Sequence, residues 1–270
     1  TFKYEIQPPA STVISPVDGQ WYSGVVNYAL PQIYGTSVDQ PLSGPGSGGT
    51  VILMQAQVRR GNDVSQCWGG ADFNTSCASE SSWIDMLYVS NSSTWSYATG
   101  GAGALWEKTF DGEGYQVILR AKDSALDDSG NASPNVESAI ILNKGVFWVD
   151  KTAPTALVNS PSTSDVPLLA SINGTAGDAN SGVLNVEVAY SGETEQKWWN
   201  PASETWSLGG VETLPADDHF IRASTQTASP VPWEVTGGSL PVVISGQYYR
   251  VFARAIDKTG NKTAFPGHAS

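Results

Sequence analysis

The stretch Tyr115-Gln-Val-Ile-Leu-Arg-Ala-Lys-Asp123 is closely matched by Tyr249-Arg-Val-Phe-Ala-Arg-Ala-Ile-Asp257. In the first copy, apolar side chains recur at every second position, at Tyr115, Val117 and Leu119, which is the period of a β-strand with one buried face. Both copies end in an aspartate, and a Gly-Asn turn follows at 130–131 and again at 260–261. The sequence therefore predicts the same strand and turn twice.

Three further matches follow the same order in both halves of the chain. They are Ile33-Tyr-Gly-Thr36 with Ile172-Asn-Gly-Thr175, Thr94-Trp95-Ser96 with Thr205-Trp206-Ser207, and Trp106-Glu-Lys-Thr109 with Trp233-Glu-Val-Thr236. Repeats in a constant order indicate two domains of one family. We predict two tandem all-β domains over residues 8–150 and 151–270, preceded by residues 1–7 as a separate strand.

The composition suits short strands joined by many turns. The 270 residues include 28 Gly and 16 Pro, and only 15% are charged. A net charge of −12 would repel a phosphate backbone, so nucleic-acid binding is not expected. The sequence has no apolar run long enough to span a membrane. It also lacks a signal peptide and begins at Thr1, which favours a processed chain or an excised fragment.

These segments resemble the bacterial immunoglobulin-like repeats of large cell-surface proteins and adhesins. The resemblance rests on ARAIDKTGN at 253–261, INGTAGDANSGV at 172–183 and VFWVDKTAPTA at 146–156, and it covers nearly the whole chain. It implies two tandem immunoglobulin-like β-sandwiches in a secreted, cell-surface setting. The tyrosine that opens each repeated strand is similar to the tyrosine of immunoglobulin-type corners. Function does not follow, because such modules serve as stalks, adhesins and enzyme appendages alike.

The N-terminal segment resembles a last strand. Phe2-Lys-Tyr-Glu-Ile-Gln-Pro-Pro9 aligns without a gap to Phe147-Trp-Val-Asp-Lys-Thr-Ala-Pro154, at an offset of 145. In the family, the piece before the proline is the last strand of the preceding domain. Domain 2 is expected to lack its own last strand, since the sequence stops soon after its Gly-Asn turn. Phe2, Tyr4 and Ile6 alternate with polar residues, as a donated strand requires.

Several interpretations of residues 1–7 remain open. Seven residues of at most about 3.6 Å each cannot cross a whole domain, so the strand would more easily enter domain 2 of another copy. Such a head-to-tail contact builds a filament. A fragment cut from a longer array of adjacent repeats would begin in the same way, and a free monomer or dimer is the third interpretation.

The function expected is that of a structural subunit in an extracellular fibre or surface stalk. The alternative is an adhesin or stalk fragment that binds a glycan or protein ligand through a loop of domain 1. A third hypothesis is an accessory module of a larger secreted enzyme. Catalysis by the chain itself is not expected: it holds only His219 and His268, and no nucleophile-elbow, zinc-protease or phosphate-loop motif.

Domain 1 carries a long insertion over residues 59–82 that includes both cysteines. Cys67 and Cys77 flank a short Gly/Asn-rich loop, which favours a disulfide and an oxidising compartment, with two free thiols as the alternative. Long loops often carry binding sites, so Trp68 in this loop is a predicted ligand contact. Trp198 and Trp199 are also candidates, because neighbours on a strand face opposite ways and one of them would meet solvent. The alternative for all three is core packing.

Aspartates at predicted strand ends and turns are candidate ligands for structural calcium, the one cofactor considered. The seven are Asp39, Asp123, Asp127, Asp128, Asp150, Asp178 and Asp257, with Asp123, Asp150, Asp178 and Asp257 retained as the metal set. Asp150 lies in the predicted linker, where a cation would stiffen a stalk. Aspartate also favours turns without any metal, so both explanations stay open.

Five sequons make N-glycosylation a further hypothesis, although sequons arise by chance in a chain rich in Ser, Thr and Asn. They begin at Asn74, Asn91, Asn131, Asn173 and Asn261.

Overall fold

The computed structural model describes residues 6–40, 49–61, 65–126, 131–137, 145–162, 165–166, 168–208 and 215–264. Within these ranges the protein consists of β-strands and single-turn 3-10 helices, which confirms the predicted all-β class. Contacts divide the chain into unit 1, Thr1–Asp150, and unit 2, Lys151–Ser270. None of the helices in the described ranges is long and apolar enough to cross a membrane.

Unit 1 is built from two sheets around one core. Its strands are β1 (Ala10–Ser15), β2 (Gln20–Tyr22), β3 (Gln32–Val38), β4 (Val51–Arg60), β5 (Ile84–Asp85), β6 (Leu87–Val89), β7 (Thr94–Ala98), β8 (Gly114–Asp123) and β9 (Gly145–Val149). Its 3-10 helices are Val26–Tyr28, Glu80–Ser82, Ser90–Ser92 and Leu105–Lys108. One sheet has the order β1-β3-β7-β6 and the other β2-β9-β8-β4-β5, in which only β2 and β9 are parallel.

The Ile-Tyr-Gly motif of unit 1 packs against the ring of a core tryptophan. Gly35 of β3 is the register partner of Trp95 of β7, which is buried. A Cβ atom on Gly35 would lie 2.7 Å from the Trp95 ring and 1.9 Å from the carbonyl oxygen of Thr12. Only glycine allows the indole and the neighbouring strand to come this close.

Unit 2 also has two sheets around its own core. Its strands are β10 (Thr155–Ser160), β11 (Ser171–Gly177), β12 (Val183–Gly192), β13 (Lys197–Asn200), β14 (Thr205–Leu208), β15 (Ile221–Arg222), β16 (Ser224–Thr225), β17 (Val231–Thr236) and β18 (Tyr249–Asp257). Its 3-10 helices are Asp217–His219 and Gly237–Ser239. One sheet has the order β10-β11-β17-β16, and in the other β12 pairs with β13, β15 and β18.

Unit 2 also packs a tryptophan on a glycine, but this tryptophan is not the one that the sequence matches predict. Gly174 of β11 is the partner of Trp233 in β17, and a Cβ on Gly174 would lie 2.5 Å from the Trp233 ring. Trp233 is therefore the counterpart of Trp95, and the predicted matches of Trp95 with Trp206 and of Trp106 with Trp233 are wrong. The β13–β14 hairpin supplied a second Thr-Trp-Ser motif, which the linear comparison paired incorrectly.

The two repeated strands begin with the same hydrogen bond. The backbone N–H of Phe110 donates to the Tyr115 hydroxyl (2.7 Å), and the N–H of Ile244 donates to the Tyr249 hydroxyl (2.8 Å). Each donor lies five residues before its tyrosine, as expected for an immunoglobulin-type corner. Burial raises the pKa of Tyr115 to about 12, although the hydrogen bond from Phe110 acts in the opposite direction.

Candidate functional site

In unit 1, strand β9 covers the outer edge of β8. The two strands are antiparallel, with Tyr115 opposite Phe147 and Val117 opposite Gly145. The ring of Phe147 stacks on that of Tyr115 at a centroid distance of 5.4 Å, and both side chains are fully buried. Strand β9 therefore both pairs with the outer edge of β8 and completes the core.

In unit 2, the equivalent edge of β18 has no such cover among the residues that the structure describes. Strand β18 pairs along its length with β12, from Tyr249 opposite Gly192 to Asp257 opposite Val183. On its other side, the only partner in the described ranges is the short return after the Asp257 turn, where Ile256 bridges to Lys262. We call the uncovered side of Tyr249–Val251 the open edge.

Side-chain exposure follows this difference. Tyr115 and Val117 of β8 are fully buried, whereas Tyr249 and Val251 of β18 are partly exposed. Tyr248, which precedes β18, is 75% exposed. Exposed apolar groups next to an unpaired strand edge favour association with another strand.

The segment predicted to cover such an edge lies almost wholly outside the described residues. Phe2 and Tyr4 belong to that part of the chain, and Ile6 is described and is 61% exposed. Strand donation by these residues stays a prediction.

Two of the four predicted calcium ligands lie together in unit 2. One carboxylate oxygen from each of Asp178 and Asp257 lies within 4.8 Å of the other, and Asp150 is the buried last residue of unit 1. Asp257 is fully buried and Asp178 is partly buried, both in unit 2. Carboxylate oxygens are the ligand type that Ca²⁺ prefers, so the donor chemistry fits this cation.

Asp178 supplies an independent observation that fits a cation. Its Oδ2 accepts hydrogen bonds from the backbone N–H groups of Gly182 (2.6 Å) and Asn180 (3.0 Å). Its Oδ1 is buried and has no hydrogen-bond partner among the described residues. A buried carboxylate oxygen without a partner is costly, and a bound cation would offset that cost.

Asp257 is held in place by the turn that follows it. Its Oδ1 accepts from the N–H and the hydroxyl of Thr259 (2.8 and 2.9 Å), and its Oδ2 accepts from Nδ2 of Asn261 (2.8 Å). Burial raises the pKa of Asp257, although the bonds from Asn261 and Thr259 act in the opposite direction. A cation beside this carboxylate would favour its charged form.

Asp123, the fourth predicted ligand, has a turn-forming role in unit 1. It accepts hydrogen bonds from the N–H groups of Ala125 (2.9 Å) and Asn135 (2.8 Å) and from Nδ2 of Asn135 (2.9 Å). It is not part of the acidic group found within the described ranges. Asp127 and Asp128 lie outside those ranges.

The disulfide loop is confirmed, but its tryptophan is not a surface residue. Cys67 and Cys77 are bonded. Trp68 is fully buried, its ring packs on Phe73 at 5.4 Å, and its Nε1–H donates to the Tyr97 hydroxyl (3.1 Å). The prediction of Trp68 as a ligand contact is therefore wrong, because the loop folds inward and adds its aromatics to the core.

The prediction that Trp198 or Trp199 faces solvent is also wrong. Both are 3% exposed, although they do point to opposite faces of β13. Trp199 packs on Trp206, and Trp198 packs on Phe252 at 5.2 Å. Both faces of β13 are covered. The 3-10 helix that ends at His219 lies over the face that carries Trp198.

A groove in unit 2 was not predicted. It holds about 270 Å³ of space, part of it open to solvent, beside Gly192, Trp206 and Tyr249. In unit 1 the position of Gly192, opposite the corner tyrosine, belongs to Arg60, whose guanidinium lies 3.9 Å above a phenyl ring. The missing side chain at Gly192 leaves the groove open, which only the strand register reveals.

An arginine clamp, also missed by the sequence comparison, recurs in both units. Arg120 of β8 bonds Gln55 and Glu80 and lies 4.3 Å over the Trp83 ring. The corresponding contacts of unit 2 are made by Arg254 with Glu187 (2.7 Å), with Asp217 (2.7 Å) and over the Phe220 ring (3.6 Å). Each clamp fixes a 3-10 segment that begins with an acidic residue onto its sheet. The arginines belong to the repeated strand, but the acidic and aromatic partners Glu80, Trp83, Asp217 and Phe220 lie in or next to 3-10 helices without sequence similarity.

The sequons occupy different surroundings. Asn74, Asn91 and Asn131 are exposed, and Asn173 is partly buried within β11, so glycosylation at these positions stays a prediction. The side-chain nitrogen of Asn261, which would carry the glycan, instead donates to Asp257 and Thr259. Asn261 is therefore a structural residue of the turn.

No protein-family model and no curated protein matches the sequence. Among solved structures, the chain is similar to one from a 1.5-MDa bacterial ice-binding adhesin, at 13% identity and a TM-score of 0.40 over 96% of this chain and 62% of that one. A Ca²⁺-stabilized ice-binding adhesin of an Antarctic bacterium matches at 12% identity and a TM-score of 0.37, over 96% of this chain and 47% of that one. The FN1–FN3 domains of chicken CNTN1 match at 13% identity and a TM-score of 0.35, over 95% and 65%.

The chain spans less than two thirds of the length of each of these structures. At TM-scores of 0.40 and below, the likenesses carry no argument about function. Within the described residues, the candidate functional features are the open strand edge in unit 2 and the acidic pair Asp178 and Asp257.

Proposed function

We propose that the protein is a non-enzymatic structural subunit of an extracellular fibre or surface stalk, in which the open edge of β18 receives a strand from outside unit 2. The observation that supports this is the contrast between the covered edge of β8 and the open edge of β18, two strands with the same sequence pattern. The disulfide between Cys67 and Cys77 fits an oxidising, extracellular compartment.

The open edge offers apolar surface that an incoming strand would bury. Covering the exposed parts of Tyr249 and Val251 and burying one large apolar side chain of an incoming strand would each contribute up to about 1.5–3 kcal/mol. Backbone hydrogen bonds along the strand add direction and specificity to the contact. An edge left uncovered would instead favour disordered aggregation.

The proposed donor is the N-terminal segment of another copy. Its sequence, Phe2-Lys-Tyr-Glu5, aligns with Phe147-Trp-Val-Asp150, which contains the part of β9 that lies beside Tyr115. A contact between residues 1–7 of one copy and unit 2 of the next is heterologous, and it propagates into a filament unless the rotation closes a ring.

The test is assembly of the whole chain. We expect the full-length protein to form filaments in negative-stain images and a concentration-dependent series of species in sedimentation velocity. A variant that lacks residues 1–7 should remain monomeric, and its far-UV spectrum reports whether both units stay folded. A full chain that is monomeric at all concentrations would contradict the proposal.

The acidic pair in unit 2 supports a second, finer element: structural Ca²⁺ bound by Asp178 and Asp257. The buried Oδ1 of Asp178, which has no hydrogen-bond partner among the described residues, supports this assignment. When bound, the cation supplies positive charge to two carboxylates that burial would otherwise penalise. The residues themselves hold the turn after β18 in position through Thr259 and Asn261.

A serine–histidine–aspartate set occurs in unit 2, and its geometry argues against catalysis. Ser207 Oγ lies 3.2 Å from Nε2 of His219, and Nδ1 of His219 lies 3.6 Å from Oδ1 of Asp218. The Ser207 hydroxyl, however, donates its proton to the carbonyl oxygen of Trp198 (3.1 Å). A serine nucleophile must instead donate to its histidine base, so this set fits a structural role.

A further inference from the structure

We propose that the incoming strand pairs with β18 in one register, with Phe2 of one copy opposite Tyr249 of the next. This inference rests on the proposed function and adds to it the residue pairs that define the contact. It is derived from the only complete example of this edge that the described residues contain, the β8–β9 pair of unit 1.

Unit 1 provides the template for the contact. Tyr115 lies opposite Phe147, and the residue before the tyrosine belongs to the next, outward pair, Gly114 opposite Trp148. Phe147 points into the core and is fully buried, whereas Trp148 points outward and is 39% exposed. The inner and outer faces of the covering strand are therefore fixed by its register with β8.

Unit 2 offers the same arrangement to an incoming strand. At the start of β8 and of β18, the tyrosine hydroxyl accepts the same backbone hydrogen bond. On the side away from the covering strand, Tyr115 lies opposite Arg60, the last residue of β4, and Tyr249 lies opposite Gly192, the last residue of β12. Both strands also end with the aspartate that starts the following turn. Position by position, Tyr249 therefore replaces Tyr115 and Tyr248 replaces Gly114.

The donor residues are placed by the ungapped alignment. Phe2 takes the position of Phe147, Lys3 that of Trp148 and Tyr4 that of Val149. In the assembled state Phe2 would lie against the exposed part of the Tyr249 ring, and Lys3 would point outward beside Tyr248. A slip by one residue would turn Lys3 inward and Phe2 outward, so the register is strongly specified.

Intermolecular disulfides can test this register directly. In the full-length chain, Lys3→Cys combined with Tyr248→Cys places two cysteines opposite each other, at a Cα separation of about 4.5–5.5 Å that suits a disulfide. The matched control combines Lys3→Cys with Arg250→Cys, two residues along on the same outward face and beyond about 7 Å. We expect a ladder of cross-linked oligomers on non-reducing gels for the first pair and at least tenfold less for the second.

The outcomes separate this inference from the proposal beneath it. Filaments that cross-link through Arg250→Cys and not through Tyr248→Cys would overturn the register and leave strand donation intact. A chain that neither forms filaments nor cross-links through either pair would overturn both.

A second measurement does not depend on engineered cysteines. Phe2→Ala should raise the concentration needed for filament formation by about 10- to 150-fold, the equivalent of one buried aromatic side chain. Lys3→Ala, which changes only the outward face, should change it by less than about threefold. Equal effects of the two substitutions would contradict the assignment of Phe2 to the inner face.

Discussion

Strands β8 and β18 share five of nine aligned residues, from the corner tyrosine to the final aspartate, and the same corner hydrogen bond, yet their side chains are buried to different degrees. Tyr115 is sealed by Phe147, whereas Tyr249 contacts Trp206 at 5.3 Å on one side and remains partly exposed. The difference lies on the strand edge that faces away from β4 in unit 1 and away from β12 in unit 2. In unit 1 this edge pairs with β9, and in unit 2 no described strand pairs with it. A strand pattern thus predicts which face is apolar, while the neighbouring strand decides whether that face is buried.

Removing the aromatic seal of β8 should have the largest effect. Phe147→Ala should destabilise unit 1 by about 3–5 kcal/mol, because it deletes a fully buried aromatic side chain. Tyr249→Ala should cost less than half as much, because its ring is already partly exposed. Urea unfolding followed by tryptophan fluorescence measures both. Equal losses would mean that the open edge is as well covered as the closed one.

Calcium should distinguish the units. At a free Ca²⁺ concentration about 100 times its Kd, the cation should stabilise unit 2 by about 2.7 kcal/mol. Asp178→Asn and Asp257→Asn should each abolish this effect. Asp123→Asn should leave it unchanged, because the Asp123 carboxylate in unit 1 already accepts hydrogen bonds from Ala125 and Asn135. Thermal unfolding with and without Ca²⁺, and with Mg²⁺ as the comparison cation, gives the answer. No Ca²⁺-dependent shift in the parent protein would exclude the site.

The burial of Asp257 predicts the sign of a pH dependence. Burial raises the pKa of Asp257 above its ordinary value of 3.8, so in the Ca²⁺-free protein its protonated form is favoured by folding. That contribution is complete below the unfolded value and is lost as the pH rises through the folded one. Asp257→Asn should flatten this part of the stability–pH profile, and a profile unchanged by the substitution would contradict the assignment.

The disulfide should affect unit 1 alone. Replacing Cys67 and Cys77 together with Ala should destabilise that unit by about 2–3 kcal/mol, because a loop with a sequence separation of 10 residues is no longer closed. The buried Trp68 next to it should become more accessible to a soluble fluorescence quencher. The transition of unit 2 serves as the internal control. A shared loss in both transitions would show that the units do not unfold separately.

The smallest effect separates the two arginine clamps. Arg254→Ala leaves the charged Glu187 without its partner, whereas Arg120→Ala leaves the neutral Gln55. We expect a loss of about 1.5–3 kcal/mol for the first and about 1 kcal/mol for the second, because the outer partners Asp217 and Glu80 are largely exposed. Chemical denaturation of both variants measures the difference, and a larger loss for Arg120→Ala would reverse this interpretation.

Much of the architecture could be predicted from local patterns. The alternation in the repeated strands, the repeated glycine of the Ile-Tyr-Gly motif and the cysteine spacing each depend on a few neighbouring residues, so short stretches of the chain are enough to recognise them. The tryptophan matches failed because Trp95 and Trp206 share a local motif but lie in sheets with different partners. Register is set by pairing between distant segments, and a linear comparison does not contain it.

The candidate metal site also depends partly on local sequence and partly on tertiary contacts. Asp178 and Asp257 could be nominated from the sequence because aspartates at strand ends are recognisable. Only the folded backbone shows which aspartates lie close together. It also shows which ones, such as Asp123, accept hydrogen bonds from their own turn. Trp68, Trp198 and Trp199 were misjudged for a related reason: an aromatic in a loop or on a strand is exposed only if no other segment covers it.

By itself, the sequence determined the all-β class and the duplicated strand and turn, and it favoured the pairing of Cys67 with Cys77, because these depend on side-chain type and short spacing. Only the tertiary structure decided that β8 is sealed while β18 has no described cover, that Arg120 and Arg254 hold equivalent loops, and that Gly192 opens a groove. Burial and register arise from contacts between residues far apart in the chain, and their free energies exist only once those residues have been brought together.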